Sequence, residues 1–279
     1  MRPLNIVVCM KPVPDPRKWG KLKLDPETML LRRGDVPAVI NALDRNAIEQ
    51  ALVLREKHGG SVTLVTMAPP DAEDQVSEAL AMGCDRACLL SDRAFAGGDT
   101  LATARVLAAA IRKLGAPQRG SHPAAAFDLV FCGAYSADGS TAQVGPQVAE
   151  LLGIPDLTQV IALEVRNEVV RARCQVDAGE TVYEADLPAV ATFTREANVP
   201  RLPTMRGIMH ATQVSIERWT AADLGLSDDA IGLKGSPTQM LNVFTPPSGR
   251  KGEILQGTPN EVAARLVDRL RAERLIDKA

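Results

Sequence analysis

The sequence has few aromatic residues and few histidines, and each shortage excludes a class of function. Trp, Tyr and Phe together make up 3% of the 279 residues, so aromatic platforms that stack single-stranded nucleic acid are not expected. The chain has three histidines, which argues against a metal ion held by several histidine ligands. Its core must therefore be built from Ala, Val, Leu and Ile.

Long apolar runs are also missing. No segment approaches the roughly 18–20 consecutive apolar residues that cross a membrane, and the first apolar run is too short for a secretory signal. The five cysteines are odd in number and lie mostly in apolar segments, which favours buried thiols in a reducing compartment. We therefore expect a cytoplasmic protein that does not insert into membranes.

The net charge of −2 gives no reason to expect a nucleic-acid partner. The charge is distributed unevenly, since residues 1–33 and 250–279 are basic and the region between them is acidic. Basic termini at the surface explain this pattern most simply. A surface that contacts a partner protein is the alternative explanation.

The first half of the chain alternates short apolar segments with segments of helical periodicity. The predicted strands cover residues 4–10, 61–67, 87–90 and 128–132. The predicted helices cover residues 43–58, 71–82, 99–114 and 141–152. Strands that are apolar on both faces and alternate with helices predict a parallel sheet with helices on both sides. Right-handed crossovers then give a doubly wound, mostly parallel α/β sheet of the nucleotide-binding type.

The pattern changes after residue 157. Closely spaced strands are predicted at residues 160–165, 169–176 and 181–185, and their short polar connections are typical of hairpin turns. A further strand is predicted at residues 189–193. We expect the three closely spaced strands to extend one side of the parallel sheet as an antiparallel hairpin edge.

The last part of the chain lacks a regular pattern until its final helix. Residues 194–257 are rich in Pro and Gly, and residues 259–275 form an amphipathic helical pattern. A long irregular segment is unusual in a compact domain unless it is functional or packs on something else. We therefore divide the chain into an α/β domain over residues 1–193 and an arm over residues 194–279 that packs on another chain.

No motif of a known catalytic site is present, whether a Walker loop, G-x-G-x-x-G, H-E-x-x-H or G-x-S-x-G. Instead, a segment of small and hydroxyl residues at positions 133–146 leads from the fourth strand into a helix. Small residues let backbone N–H groups approach a ligand, and a helix N-terminus favours an anion. These features predict a phosphate or pyrophosphate cradle, while the absence of lysine within the segment argues against phosphoryl transfer. An ordinary turn with a helix cap is the alternative.

Other loops are predicted at the same edge of the sheet. They are Cys9-Met10-Lys11, Thr66–Pro69, Ser91–Thr100 and Asn41–Asp44. Doubly wound folds bind ligands at the carboxyl edge of the strands, so we expect these loops to surround one ligand.

Taken together, these segments resemble the β subunit of electron transfer flavoproteins over nearly the whole chain. The motifs that carry the resemblance are Cys9-Met10-Lys11, Asn41, Ala79–Ala87, Gly133–Gly145 and Leu187–Val190. The segments that look most like the branch performing flavin-based electron bifurcation are Ser91–Thr103, Thr141–Pro146 and Gly235–Gln239. The combination is specific, whereas any single motif would be weak.

The resemblance implies an adenine-nucleotide α-hydrolase-like fold and a heterodimer with an α subunit, which carries an FAD of its own. In the ordinary branch the β subunit holds a structural AMP. In the bifurcating branch it holds a second FAD that takes electrons from NADH. The implied partners are the α subunit, an acyl-CoA dehydrogenase-type or quinone-reductase flavoprotein and, for bifurcation, NADH.

Carried over onto this chain, the family's cofactor site draws on several loops. The part around the adenosine phosphate would contain Cys9, Asn41, Ala42, Leu43, Asp44, Thr66, Gly133, Ala134, Tyr135, Ser136, Ala137, Asp138, Gly139, Ser140, Thr141, Ala142, Gln143 and Val144. Nearer the extended half of a flavin would lie Asp99, Thr100 and Thr103. No catalytic residue or metal is implied, because the cofactor carries the redox work. FAD and AMP both fit such a loop.

Four positions depart from the pattern of the bifurcating branch. Relatives usually have Arg-Gln where this chain has Ala134-Tyr135, an acidic residue where it has Ser140, and Pro where it has Ala42. The missing arginine removes a cation that could steady a reduced flavin, and the missing acid partly offsets that loss. Tyr135 either stacks on a ring of the ligand or packs within the loop, and packing is favoured.

The segment over residues 194–201 matches the family's partner-recognition loop, in which an apolar side chain anchors in the dehydrogenase. The implied recognition residues are Arg195, Glu196, Ala197, Asn198 and Val199. Ala197 stands at the anchor position, and its methyl group buries far less area than a leucine side chain. Val199 could take over that role, and an ordinary linker is the alternative.

Three functions therefore compete. The first is an FAD-binding electron-transfer subunit, and the second is a structural AMP-binding subunit whose partner performs all the redox chemistry. The third is a nucleotide-sensing protein of the adenine-nucleotide hydrolase type, which shares the expected fold. The hairpin edge and the long arm argue against the third, because a stand-alone sensor needs neither.

Overall fold

Alternating strands and helices build the chain, whose computed structural model describes residues 2–21, 36–115, 127–239 and 252–276. The strands are β1 Leu4–Cys9, β2 Pro12–Pro14, β3 Ala38–Ile40, β4 Gly60–Met67, β5 Arg86–Leu90, β6 Leu129–Gly133, β7 Asp156–Arg166, β8 Val169–Val176, β9 Gly179–Asp186, β10 Ala189–Phe193 and β11 Glu217–Trp219. The helices are α1 Ala42–His58, α2 Glu73–Met82, α3 Thr100–Gly115, α4 Val144–Leu152, α5 Met205–Ala211 and α6 Pro259–Ala272.

A nine-stranded sheet organises the fold, in the order β11-β5-β4-β1-β6-β10-β7-β8-β9. β1 lies in the centre of the seven parallel strands and pairs with β4 and β6. Parallel pairing extends outward to β5 and β11 on one side and to β10 and β7 on the other. The antiparallel pairs β7–β8 and β8–β9 form one edge. The predicted doubly wound sheet with an antiparallel hairpin edge is therefore confirmed.

Helices cover both faces of this sheet. On one face, α1 and α2 pack through residues such as Ile48 and Leu80. On the other face, α3 and α4 pack through residues such as Ile111 and Val148. Burying both faces explains why the central strands are continuously apolar rather than alternating.

The core contains few aromatic side chains, as the composition predicts. Phe131 on β6 and Phe193 on β10 are fully buried and meet edge to face, with their ring centroids 4.7 Å apart. Alanine is prominent among the buried positions of α1 and α3, where small side chains let a helix lie close to the sheet.

The first turn of the hairpin edge shows why the sequence folds back at residue 166. Asn167 and Glu168 both have positive φ, at 47° and 70°. Two successive residues of that kind form the turn whose twist matches the twist of the flanking strands. The predicted connection between the strands 160–165 and 169–176 is thus a two-residue hairpin turn.

Several features differ from the predicted elements, and helix α5, which lies in the segment predicted to be irregular, is one of them. Helix α4 begins at Val144 rather than at residue 141, because Ser140 and Ala142 have φ values of 50° and 55°, which no right-handed helix accommodates. The segment Glu217–Trp219, predicted to be irregular, forms a short edge strand paired with β5.

The chain divides into two compact units, Met1–Leu241 and Asn242–Ala279. Within the first unit, α5 packs on α2 and β11 extends the sheet. The division into an α/β domain over 1–193 and an arm over 194–279 stays a prediction. The second unit contains α6, none of whose residues is buried. The packing of the arm over 194–279 on another chain remains a prediction.

Candidate functional site

The candidate site lies at the carboxyl edge of the central strands, around the connection between β6 and α4. We call residues 134–143 the β6–α4 loop. Its backbone is tightly curved. Ser140 and Ala142 adopt the left-handed backbone conformation, and the N–H of Ser140 donates to the carbonyl of Ser136 at 2.8 Å. Left-handed residues other than glycine cost free energy and persist where surrounding contacts fix them. The contacts that fix this loop come from the start of α1 and the end of β1.

Asn41 fastens the first half of the loop. Its side-chain Nδ2 donates to the carbonyl of Tyr135 at 2.9 Å, and its Oδ1 accepts from the N–H of Ala137 at 3.1 Å. Asn41 precedes α1, yet its side chain makes no capping bond to that helix. The amide of a helix-opening residue is used here to hold a second loop.

Asp44, in the first turn of α1, is buried and connects three parts of the site through hydrogen bonds. Its carboxylate accepts hydrogen bonds from the N–H of Lys11 at 2.7 Å, the N–H of Gly133 at 2.9 Å and Nδ2 of Asn41 at 3.1 Å. Burial raises the pKa of Asp44 to about 6, although these hydrogen bonds act to lower it. One carboxylate thus joins the ends of β1 and β6 to the start of α1.

Glycine at position 133 is required by close packing. A Cβ there would lie 2.4 Å from Oδ1 of Asp44 and 2.8 Å from Cβ of Leu43. Gly145, in the first turn of α4, is equally confined, because its Cβ would lie 2.4 Å from Cγ2 of Thr192. Both ends of the β6–α4 loop are therefore pressed against neighbouring elements.

A lysine reaches the loop from elsewhere in the chain. The ammonium group of Lys11 donates to Oδ1 of Asp138 at 2.7 Å and to Oγ of Ser136 at 3.2 Å. The sequence shows no lysine within the cradle segment, and only the fold brings this one across. Its position just after β1, at the same edge of the sheet, was the available signal.

The amino ends of α3 and α4 are linked beside the loop. Gln143 precedes α4 and makes no side-chain capping bond to it; its Oε1 instead accepts from Oγ1 of Thr100 at 3.0 Å. Val144 and Gly145 begin α4, so this helix presents backbone N–H groups near the loop without a side-chain cap. Such an end favours a negatively charged group of a ligand.

Asp99 immediately precedes α3 and Thr103 lies in its first turn, but neither touches the β6–α4 loop through any contact that the structure gives. The carboxylate of Asp99 accepts from the N–H groups of Ala102 at 2.9 Å and Thr238 at 3.0 Å. Burial alone would raise the pKa of Asp99, but these hydrogen bonds outweigh it and lower the pKa below the ordinary value. This carboxylate caps α3 and holds the segment that contains Gly235–Gln239.

Cys9 and Thr66 lie at the ends of β1 and β4, and both are buried. Cys9 forms a hydrogen bond to Cys132 which, together with burial, raises the pKa of the Cys132 thiol well above its ordinary value. The hydroxyl of Thr66 has no hydrogen-bond partner among the described residues. A fully buried hydroxyl of this kind is suited to bond a group that is not part of the chain.

The remaining loop residues differ in exposure. The Tyr135 side chain is about half exposed, at 47%, and its carbonyl is the group that Asn41 holds. Ala42 and Leu43 form the start of α1 next to Gly133. The structure thus brings the loops of residues 9–11, 41–44 and 133–144 into one cluster.

The recognition segment, residues 194–201, is fastened to α1 as well. Nδ2 of Asn46 donates to the carbonyl of Asn198 at 2.8 Å, and Nδ2 of Asn198 donates back to the carbonyl of Asn46 at 3.1 Å. Arg201 forms ion pairs with Glu49 and Glu56, also on α1. A short 3-10 helix, Arg195–Ala197, begins the segment.

Within this segment, Val199 and Ala197 are placed differently. Ala197 packs against the protein's own core, whereas the Val199 side chain is 90% exposed. Hydrophobic side chains continue to be exposed beyond it, at Leu202, Met205, Ile208 and Met209. Contiguous exposed apolar residues are typical of a surface that contacts another protein.

Comparison with known proteins agrees with this architecture. Residues 28–224 match the family model described as the electron transfer flavoprotein domain. None of the described helices is long and apolar enough to cross a membrane.

Several curated proteins are similar over almost their full length. The electron transfer flavoprotein subunit beta of Thermoanaerobacterium thermosaccharolyticum is 42% identical over 274 residues, covering 98% of this chain and 100% of the relative. The caffeyl-CoA reductase-Etf complex subunit CarD of Acetobacterium woodii is 41% identical, again over 98% and 100% of the two chains. The acryloyl-CoA reductase electron transfer subunit gamma of Anaerotignum propionicum is 39% identical with the same coverage. The chain therefore belongs to the electron transfer flavoprotein family, among its β subunits.

Proposed function

We propose that the chain binds FAD at the β6–α4 loop and moves electrons, as the β subunit of a heterodimer, between a donor such as NADH and a dehydrogenase partner. Structural AMP at the same place is the second candidate. The observation that carries the proposal is the buried network of Asn41 and Asp44. This network holds a loop of small residues beside the amino end of α4.

The residues present fit an adenine nucleotide with its phosphates. Gly139 leaves open space that a side chain would fill, since a Cβ there would already lie 3.2 Å from Oγ of Ser136. The unpartnered hydroxyl of Thr66 offers a buried hydrogen bond, and the start of α4 suits a phosphate group. Ser140 and Thr141 are exposed and add hydroxyl groups.

When bound, a flavin supplies the redox chemistry, and this chain holds and orients it. The residues named here are hydrogen-bond donors, acceptors and small side chains, with no pair arranged as nucleophile and base. Asp44 is committed to three hydrogen bonds and Asp99 to capping α3. We therefore assign no catalytic residue to this chain.

A flavin rather than AMP is favoured by the arrangement around α3. Thr100 and Gln143 join the amino ends of α3 and α4, so a second helix end lies beside the β6–α4 loop for the further phosphate of a ligand longer than AMP. Two of the relatives compared above are named for CoA-ester reductases, which supports a partner of the acyl-CoA dehydrogenase type. Electron bifurcation with NADH is the further expectation, although Ala134 leaves the flavin without the arginine of that branch.

The α subunit is the partner proposed for α6. This helix is amphipathic and none of its residues is buried, with Leu266 and Val267 among the exposed apolar side chains. Exposed apolar side chains on an amphipathic helix are typical of an interface. For the dehydrogenase, the recognition segment is the proposed contact, with Val199 as its exposed apolar residue. The five cysteines are free and buried, which supports a cytoplasmic setting.

The deciding experiment is the visible spectrum of the purified heterodimer with its flavin and AMP quantified. Two flavins per heterodimer would support FAD in this chain. One flavin with one released AMP would instead establish the second candidate. Neither nucleotide in addition to the flavin of the α subunit would contradict both.

Bifurcation is tested separately by rapid mixing of the loaded heterodimer with NADH. NADH is expected to bleach the visible absorbance of the flavin bound to this chain. No NADH-dependent bleaching would exclude NADH as the donor while leaving FAD binding intact.

A further inference from the structure

Lys11 is fixed to the site at both its backbone and its side chain. Its N–H donates to Oδ2 of Asp44 at 2.7 Å, and its carbonyl accepts from the N–H of Asn41 at 3.1 Å. Its ammonium group then spans to the β6–α4 loop and pairs with Asp138 at 2.7 Å. Lys11 therefore links the end of β1, the start of α1 and the loop.

We propose that Lys11 is a positioning residue of the cofactor site: its ammonium holds the β6–α4 loop in its binding conformation through Asp138 and Ser136 and does not itself bind the cofactor's phosphate. This inference rests on the proposed function, because the ligand of the loop is the proposed adenine nucleotide. It adds Lys11 to the residues of the cofactor site, although Lys11 lies outside the predicted phosphate cradle in the sequence.

The shape of the loop explains why such a tie is needed. Ser140 and Ala142 occupy left-handed backbone conformations, which are unfavourable for residues with a Cβ. The internal bond from the N–H of Ser140 to the carbonyl of Ser136 only closes one turn. Asn41 fixes the backbone at Tyr135 and Ala137. Lys11 fixes the side chains of Ser136 and Asp138.

The burial of Asp138 favours a positioning role over movement of the ammonium to a phosphate. Its side chain is 2% exposed, whereas that of Lys11 is 40% exposed. If the ammonium moved to a phosphate, it would leave a buried carboxylate without this cation, which is unfavourable. The amino end of α4 and the backbone of the loop can receive the phosphate without that loss. The ammonium therefore stays on Asp138.

The first test is hydrogen–deuterium exchange of the full-length chain without ligand. Lys11→Met is expected to speed exchange in the peptides covering residues 136–143 by at least about tenfold, since a charge-assisted bond to a buried group is lost. Lys11→Arg, which keeps the charge, should remain close to the unmodified chain. Lys57→Met, which removes an exposed lysine on α1, is the matched control and should leave the loop unchanged. Equal exchange in Lys11→Met and Lys57→Met would overturn the proposal.

The second test separates positioning from phosphate binding, with AMP as the probe in calorimetric titrations. A positioning lysine predicts that Asp138→Asn weakens AMP binding about as much as Lys11→Met, and that the double variant is no weaker than either single one. A phosphate-binding lysine predicts unchanged or tighter binding in Asp138→Asn, because the ammonium is released; this result would overturn the proposal. Circular dichroism checks that each variant is folded.

These two tests fail independently of the proposed function. If the unmodified chain retains neither AMP nor FAD, the proposed function is contradicted. The exchange of the ligand-free loop still reports whether Lys11 holds it. If nucleotide binds but Lys11→Met changes neither exchange nor affinity, only the role of Lys11 is wrong.

Discussion

Helix α1 holds two loops that present opposite kinds of surface. At its amino end, Asn41 holds the β6–α4 loop directly and Asp44 holds Gly133, the residue that precedes the loop. Its middle fixes the recognition segment through Asn46 and Glu49. The first loop offers small side chains beside a helix end, whereas the second exposes large apolar side chains.

This comparison explains an oddity of α1. A helix that packs on a sheet normally buries an apolar stripe, yet α1 also buries several polar side chains. They are Asp44, Asn46, Glu49 and Gln50. Each forms hydrogen bonds to another part of the chain, which is the condition under which polar groups are buried. Three of these four positions thus serve the two attachments, and Gln50 donates instead to the carbonyl of Leu163 on β7.

The two attachments differ in their chemistry. Asp44 binds backbone N–H groups inside the fold, so the loop it holds cannot shift without leaving a buried carboxylate unsatisfied. Arg201 holds the recognition segment by ion pairs in which the guanidinium is 32% exposed. We expect the first attachment to be rigid and the second to yield more easily, and the following variants test that difference.

The largest effect is expected from Gly133→Ala. The added methyl would overlap Asp44 Oδ1 and press on Leu43, so either the loop or α1 must shift. A loss of about 3 kcal/mol in the free energy of unfolding is expected, as for severe overpacking. Urea denaturation of the chain and nucleotide content of the heterodimer measure the two consequences.

Gly20→Ala is the matched control, because a Cβ at Gly20 meets nothing within 4 Å. It should leave both stability and nucleotide content unchanged. Retention of full nucleotide content in Gly133→Ala would mean that the close approach of β6 and α1 does not shape the site.

The second effect is a pH dependence that comes from Asp44. Its pKa in the folded chain is about 6, above the ordinary value of 3.8, so the folded state binds this proton more tightly than the unfolded state. Its contribution to stability is full below about pH 4 and is lost as the pH rises through 6. The change amounts to about 3 kcal/mol at most.

Urea unfolding of the native chain and Asp44→Asn between pH 4 and pH 7.5 measures this difference. The native chain should lose stability relative to the variant as the pH rises across that window. Parallel curves for the two proteins would show that Asp44 is not the group responsible.

A smaller effect is expected from Arg201→Ala, which releases the recognition segment. Its ion pairs with Glu49 and Glu56 raise the pKa of Arg201, and Glu49 would lose its guanidinium partner. About 2 kcal/mol of stability should be lost, less than for a fully buried pair because the guanidinium is partly exposed. The KM for the dehydrogenase should rise while nucleotide content stays unchanged.

Arg206→Ala, at an exposed position on α5, is the control for that variant. A loss of nucleotide from Arg201→Ala would contradict the separation between the two attachments of α1. An unchanged KM would remove the recognition segment from the proposed interface.

The smallest effect is expected from Val199→Ser, which alters only the exposed face. Removing an apolar side chain from an interface weakens binding by about 1 kcal/mol, or roughly fivefold. The measurement is the dependence of the electron-transfer rate on dehydrogenase concentration. Val182→Ser, an exposed valine on β9, is the matched control. Equal rates for the two variants would place the contact elsewhere.

Much of the fold was predictable because its signals are local. Apolar runs and helical periodicity are properties of neighbouring residues, and they identify the strands β1, β4, β5 and β6 and the helices between them. Errors came from segments in which local signals mislead, including the stretch rich in Pro and Gly that nevertheless contains helix α5. Thr141–Gln143 continue the helical pattern, but the positive φ of Ser140 and Ala142 keeps them out of the helix. Glu217–Trp219 is a short edge strand without alternating apolar residues.

The site was predictable only as a set of loops. Small residues after β6 indicate close approach of a backbone, and they mark the segment over residues 133–144 in the sequence. The pairing of Lys11 with Asp138 joins residues 127 positions apart, and no local pattern indicates it. The same holds for Asn198 and Asn46, which are 152 positions apart.

The sequence by itself determined the order of strands and helices, the apolar core with few aromatic residues, and the loops at the carboxyl edge of the sheet. These follow from short-range periodicity and from the conformations that glycine and small residues allow. Only the tertiary structure decided that Asp44 binds three loop ends, that Lys11 reaches Asp138 and that Ala197 turns inward while Val199 stays exposed. Such contacts depend on how distant segments pack together, and burial then sets both the charge state and the rigidity of the groups involved.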